Sequence, residues 1–302
     1  MATKDPPSAP SPTEQMKRLV DVYLAANPQI SGAKYQTKHP LARPISKIDY
    51  ENVVKALYAV GFQPQGGNPD GFHVLRIQTE YYDRKINRHK LSNIRAEVVG
   101  MDLIQTYCKT NSLPKLLDMP AQTNASSDKI KFTQKRSATL PGTAGEYVKP
   151  VDFPDWGFRV SYQNETYYPP RADVARNILA DWANSKKTFR YLNRVRFVHP
   201  DLPFFADVSI VKTSKTTQRI MVPQYTVQDA GVFTNMETYE VELELDNGRM
   251  GSYTSLQLTD ALRTGVRMVL GALQETKYPI GLRETHQVLL NYLTLIHGEG
   301  AG

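Results

Sequence analysis

The sequence predicts an α+β fold in which a closed or nearly closed antiparallel β-barrel carries helices packed outside it. Three observations point there. Seven or eight segments alternate apolar and polar residues with a period of two, and helical periodicity gathers at the two ends of the chain with one helix between. Several of the strands also carry charge along a whole polar face. A barrel that packs its apolar faces outward against helices must line its interior with those charged faces, where bases and acids balance one another.

Residues 1 to 14 are rich in Pro, Ser and Thr with almost no apolar content and are expected to be a disordered lead-in to a domain spanning 15 to 298, with 299 to 302 as a tail. Met16 to Ala26 carries Leu19, Val20, Val22, Tyr23 and Leu24 and reads as a short helix broken by Asn27-Pro28. A second helix is expected from Lys47 to Val60, with Ser46 placed to cap it and Gly61 to end it. Strands Val74 to Tyr82 and Ile94 to Val99 form a hairpin around the basic turn Arg84 to Lys90. Gly100 to Asn111 has the spacing of an amphipathic helix burying Leu103, Ile104, Tyr107 and Cys108, which makes Cys108 a core thiol.

After a polar loop, Lys129 to Lys135 is a strand with Lys129, Lys131, Thr133 and Lys135 on one face, and Gly157 to Asn164 sets Arg159 and Ser161 opposite Phe158, Val160 and Tyr162. Ala172 to Asn184 is a helix with a stripe of Val174, Ile178, Leu179 and Trp182. Strands Phe189 to Val198 and Phe204 to Lys212 follow, joined by a turn with two prolines. The first places Arg190, Arg194 and Arg196 on the face of Leu192; the second carries Asp207 and Ser209. Two packing helices, Ser255 to Leu273 and Leu282 to His297, complete the chain, the last with a stripe of Leu289, Tyr292, Leu293 and Ile296.

The strictest alternation lies between Glu237 and Asp246. Tyr239, Val241, Leu243 and Leu245 take one face of a strand, and Glu240, Glu242 and Glu244 take the other. Neighbouring carboxylates on that face stand roughly 7 Å apart, close enough to repel and for a divalent cation to bridge two of them. A solvated edge strand would show the same pattern, because charge there blocks unwanted pairing. A site would instead place positive groups beside it.

Thirty-seven Lys and Arg against thirty acids give a net charge of +7 in 302 residues, which favours an anionic partner such as nucleic acid or polyphosphate. Bases are dense from Arg76 to Lys109 and from Lys186 to Lys215, whereas acids concentrate in the alternating strand. A single cysteine excludes an intrachain disulfide and suits a reducing compartment. No apolar run is long enough to span a bilayer, and the N-terminus lacks the apolar segment of a secretion signal, so no membrane partner is expected.

Five stretches, SNIRAEVVGMDLIQTYCKTNSLP (92 to 114), WANSKKTFRYLNRVRF (182 to 197), FADVSIVK (205 to 212), YEVELELD (239 to 246) and QETKYPIGLRETHQVLLNYLTLIHG (274 to 298), together resemble the RNA 5′-triphosphatase module of mRNA-capping enzymes from large nucleocytoplasmic DNA viruses. That module belongs to the triphosphate tunnel metalloenzymes. The resemblance implies an eight-stranded antiparallel tunnel holding a triphosphate with Mg²⁺ or Mn²⁺, and a chain that removes the γ-phosphate from the 5′-triphosphate end of RNA. It implies that Glu240, Glu242 and Glu244 hold the metal, with Glu80 as a further ligand, and that Arg194 and Arg196 act with them in catalysis. Arg159, Arg190, Lys131, Lys135 and Lys212 would hold phosphate oxygens, with Asp207 orienting a basic neighbour. A guanylyltransferase domain or subunit as partner, and a place in the host cytoplasm (viral factory) or virion, follow from the same resemblance.

Two positions depart from the family's pattern. Its N-terminal glutamate strand corresponds here to LRIQTEYY (75 to 82), whose face holds Arg76, Gln78 and Glu80, and Phe205 stands where the family would place a basic residue. These departures keep a second function class open, a noncatalytic RNA-binding or capping-complex scaffold with the tunnel fold. The three glutamates discriminate, since carboxylates facing bound RNA would repel its phosphates. Within the enzyme class, nucleoside triphosphatase and polyphosphatase activities are near neighbours, because all read a triphosphate.

Overall fold

The computed structural model describes residues 10–25, 44–119, 129–140, 142–143 and 145–297, together with the backbone of 31–36. Its elements in chain order are α1 (Pro12–Ala25), β1 (Ser31–Gln36), α2 (Lys47–Ala59), β2 (Gln63–Pro64), β3 (Phe72–Asp83), β4 (Arg88–Leu91), β5 (Ile94–Val99), α3 (Met101–Thr110) and α4 (Leu113–Asp118). Then come β6 (Ile130–Ser137), β7 (Val151–Phe153), β8 (Phe158–Tyr168), α5 (Asp173–Ala180), β9 (Lys187–Val198), β10 (Phe204–Thr213), β11 (Thr216–Thr217), β12 (Ile220–Met221), β13 (Thr238–Leu245), α6 (Ser255–Gln274) and α7 (Leu282–His297).

The architecture is mixed α+β around a large antiparallel sheet. β9 pairs with β10 along one edge and with β3 along the other. Following the ladders from β10 through β13, β1, β8, β6, β5 and β3 leads back to β9, so each of these eight strands has a partner on both sides. The short strands β2, β4 and β7 extend the sheet at its ends.

Alternation sends the two strand faces to different surroundings. Val195, Phe197, Phe204, Ala206, Val208, Val241, Leu243 and Leu245 pack under α1, α2 and α6 in one apolar core. Leu75, Ile77, Ala96, Val98, Ile130, Phe132 and Phe189 pack with residues of α3, α4 and α5 in a second. Helix α6 approaches its strands closely at Gly265, where a Cβ would stand 2.7 Å from Phe204 Cζ and 2.9 Å from Leu243 Cδ1. The faces left over carry the charged residues. Among the described residues no helix is long and apolar enough to cross a membrane.

Several elements differ from the sequence expectation for identifiable reasons. Helix α1 begins at Pro12, inside the segment expected to be disordered, because the backbone N–H of Ser11 donates to Glu14 Oε2 at 2.7 Å and that of Glu14 to Ser11 Oγ at 3.3 Å, a capping box. Residues 1–9, 298–302 and the Asn27-Pro28 break lie outside the described residues. Half of the basic turn after β3 is itself a strand, β4, paired with the end of β3. Cys108 is half-buried rather than a core residue. Helix α7 has the expected bounds, but Leu289, Tyr292, Leu293 and Ile296 are between 41% and 58% exposed, so the stripe expected to pack does not.

Candidate functional site

Three adjacent strands, β9, β10 and β13, bring three arginines and four carboxylates together. Their register places Asp207 of β10 between Arg196 of β9 and Glu242 of β13, and Ser209 between Arg194 and Glu240. Asp207 and Glu242 are therefore directly opposite like charges, an arrangement that destabilises a sheet unless a cation intervenes. Arg194 intervenes: Nη1 donates to Asp207 Oδ2 at 2.9 Å, Nη2 to Glu242 Oε2 at 2.7 Å, and Nε to Ser209 Oγ at 2.9 Å. Arg196 donates Nε and Nη2 to the two oxygens of Asp207, each at 2.7 Å, and Nη2 also reaches Glu244 Oε2 at 3.2 Å. Arg190 pairs with Glu240. Each glutamate of β13 thus holds an arginine of β9.

The surroundings make these contacts strong. Asp207 is 0% exposed and Arg194 5%. Burial alone would pull the Arg194 guanidinium down, but Glu242, Asp207, Glu244 and Glu240 together raise it well above the ordinary arginine range. Arg196 is likewise raised, burial being outweighed by its hydrogen bond to Asp207. Phe205 lies under this arginine, with its ring 4.6 Å from the guanidinium carbon. The position where the family would place a base thus supplies a cation–π contact instead.

A second charged group lies on β3, β5, β6 and β8. Glu97 accepts from Arg76 Nε at 3.0 Å and Arg95 Nε at 2.7 Å, with Lys131 Nζ 3.8 Å away. Lys135 Nζ lies 2.5 Å from Glu165 Oε1. The Arg76 guanidinium is pushed down to about 10, by burial first and then by Arg95, with Arg194 and Arg190 adding to the crowding and Glu97 opposing it. Positive charge thus crowds around it, from Arg95, Arg194 and Arg190. A cavity of about 250 Å³ opens there, lined by Arg76, Gln78, Arg95, Lys135, Arg190 and Glu242. Val74, Leu192 and Val211 share the parity of the charged residues and form a separate buried apolar cluster, which lowers the local dielectric.

Most residues singled out from the sequence meet in these two groups: Glu240, Glu242, Glu244, Arg190, Arg194, Arg196 and Asp207 in the first, Lys131 and Lys135 in the second. Three do not join them. Lys212 alternates to the opposite face of β10 from Asp207 and donates to the Phe233 carbonyl at 3.2 Å, so strand parity removes it from the phosphate-binding set. Glu80 stands where β3 passes from β9 to β4, 3.7 Å from His89 Nδ1, and makes no described contact with the glutamates of β13. Arg159 is held by Asp152 of β7 at 2.6 and 3.0 Å. Glu97 of the neighbouring strand β5 stands opposite Arg76. Its signal was present in the alternation Ile94-Arg95-Ala96-Glu97-Val98. Glu165 went unread because β8 runs to Tyr168, beyond the predicted end at Asn164.

The carboxylates of β13 are donors of the right class for a hard divalent cation. Their present partners are arginines, and among the described residues no three His, Cys, Asp or Glu come together to hold a metal ion. A cation would take these oxygens in exchange for guanidinium groups.

No family model matches the sequence, and no curated protein matches it. Among solved structures, the chain is similar to one in the Schizosaccharomyces pombe Mediator head module, at 9% identity over 80% of this chain and 95% of that one, with a TM-score of 0.36. It is also similar to S. pombe Pct1 RNA triphosphatase in complex with the Spt5 CTD, at 12% identity over 98% of this chain and 95% of that one, with a TM-score of 0.35. At these values neither likeness bears on what this chain does.

Proposed function

We propose that the ring of strands works as a triphosphate tunnel and that the chain hydrolyses the γ-phosphate of 5′-triphosphorylated RNA, the first step of cap formation. One observation carries the reading. Opposite charges are paired between neighbouring strands, and Arg76, Arg95, Lys135 and Arg190 border, with Glu242, a cavity of about 250 Å³. A polyphosphate entering there meets Arg76, Arg95, Lys135 and Arg190, which would hold its oxygens by charge-assisted hydrogen bonds. Asp207 keeps Arg194 and Arg196 oriented, so these guanidinium groups are preorganised for charge that builds on the leaving diphosphate. Glu240, Glu242 and Glu244 would hold Mg²⁺ or Mn²⁺, which when bound would neutralise phosphate charge and polarise the γ-phosphoryl group. A guanylyltransferase domain or subunit as partner, and action in the host cytoplasm or virion, belong to the same proposal.

A second reading is a noncatalytic scaffold that keeps the tunnel. It is favoured by the complete pairing of the β13 glutamates with arginines. Phosphate release separates the two. Triphosphorylated RNA and ATP are each incubated with Mg²⁺, Mn²⁺ or chelator. Release that depends on the cation supports the hydrolase, and binding of tripolyphosphate without release under any condition supports the scaffold.

A further inference from the structure

We infer that the hairpin of β3 and β4 is a binding site for single-stranded RNA at the mouth of the cavity, an inference that rests on the triphosphatase reading and names the polymer that reading acts on. Arg76 and Gln78 line the cavity. The same strand runs on past its ladder with β9, which ends at Thr79, and pairs with β4 as an arm from Glu80 to Leu91. Glu80 and Tyr82 keep the parity of Arg76 and Gln78, so both stand on the continuation of the cavity-lining face, Tyr82 about 13 Å beyond Gln78 at strand rise and Glu80 between them, 3.7 Å from His89 Nδ1. His89 is directly opposite on β4, and the two rings meet edge to face at 5.2 Å. Tyr82 is 48% exposed.

The tip and the first residue of β4 read Arg84-Lys85-Ile86-Asn87-Arg88, with three exposed bases, beside Asp83, which accepts from the Lys85 N–H at 3.0 Å and from Lys90 Nζ at 3.1 Å. Met221 of β12 also lines the cavity, and Lys186, whose carbonyl accepts from the Glu80 N–H at 2.7 Å, lies over the exposed ring of Tyr225 at 5.8 Å. Flat rings interleaved with bases along a path into a phosphate-holding cavity suit a strand whose bases stack and whose phosphates need neutralising. An acidic protein segment would use the bases and leave the tyrosine ring without a stacking partner. A free nucleoside triphosphate would fill the cavity and leave the arm unused.

Fluorescence anisotropy of a 5′-hydroxyl oligoribonucleotide reads the arm without the triphosphate, and calorimetry with tripolyphosphate in the presence of chelator reads the cavity alone. Replacing Arg84, Lys85 and Arg88 together with Ala is expected to weaken oligonucleotide binding about tenfold at low salt and to flatten its salt dependence. Tyr82→Ala is expected to weaken it about fivefold with the salt slope unchanged. Tripolyphosphate affinity should stay within a factor of two in both. Oligonucleotide affinity unchanged in both variants, or an equal loss for tripolyphosphate, or equal competition by an acidic peptide, overturns the arm as an RNA site. Failure of the wild-type protein to bind tripolyphosphate instead removes the triphosphatase reading, and the oligonucleotide arm of the experiment is judged apart from it.

Discussion

The two charged groups of the sheet are built on opposite principles. On β9, β10 and β13, Arg190, Arg194 and Arg196 face Asp207, Glu240, Glu242 and Glu244, and every one of these groups is in an ion pair. On β3, β5, β6 and β8, the described ion pairs set Arg76, Arg95 and Lys131 on Glu97 and Lys135 on Glu165. The first side, three arginines among four carboxylates, is fully paired, so removing one member breaks a buried ion pair. The second sets four bases on two acids among the described ion pairs, so an incoming phosphate would add negative charge where positive charge is crowded. Stability and geometry should therefore reside on the first side and anion affinity on the second.

The largest effect expected from this contrast is at Glu242. Glu242→Ala leaves Arg194, already 5% exposed, with Asp207 and Ser209 alone. Breaking a buried pair from one side costs roughly 3 to 5 kcal/mol, here at the lower end because two partners remain. Phosphate release should fall by at least about a thousandfold, and the melting temperature should drop while the circular dichroism at low temperature stays native. Glu242→Gln keeps an acceptor for Arg194 and should recover most of the stability without the turnover. A variant as stable as wild type would show that this side is not the structural one, and unchanged turnover would remove the hydrolase reading.

Arg76 tests the other side with a smaller effect. Glu97 retains Arg95 and Lys131 when Arg76 is replaced, and the crowding that lowers the Arg76 guanidinium is relieved. Arg76→Met should therefore shift the melting temperature by only a few degrees, since a change of about 1 kcal/mol corresponds to roughly 2–4 °C in a chain of this size. Tripolyphosphate affinity should fall about ten- to a hundredfold, the worth of one charge-assisted hydrogen bond set. A large loss of stability with affinity unchanged would make the two sides alike.

The sequence carried the first side further than the other. Period-two alternation on β9, β10 and β13 was strict enough to put Arg194, Asp207 and Glu242 on charged faces, although Lys212, of the opposite parity to Asp207, was still grouped with them. What alternation does not carry is register, so the exchange of Arg194 between Asp207 and Glu242 was invisible until the strands were paired. On the second side the signal was weaker. Glu97 sits on a strand of six residues, Glu165 lies past an apparent strand end, and β1, reading SGAKYQ, has too little apolar content to stand out from a loop. Helix α7 failed in the opposite way. Its apolar spacing was plain, but periodicity says that a face is apolar and not what covers it.

The smallest effect is the most specific to the second side. Burial works to raise the Glu97 carboxyl, and Arg76, then Arg95 and Lys131, overcome it and hold it below the ordinary glutamate value of 4.5. A carboxyl depressed in the folded state gives stability that is complete above the unfolded value. As pH falls through that value the unfolded chain takes up a proton that the folded chain does not, so the free energy of unfolding declines until the folded value is passed. Glu97→Gln has no such proton to take up. Urea unfolding at intervals between about pH 5 and pH 3 should show a shallower decline for Glu97→Gln than for wild type, with the two curves parallel above that window. Equal declines would mean that Glu97 is not held by its three cations. The four bases of this side would then be compensated by other groups, and the contrast between the two sides would lose its electrostatic basis.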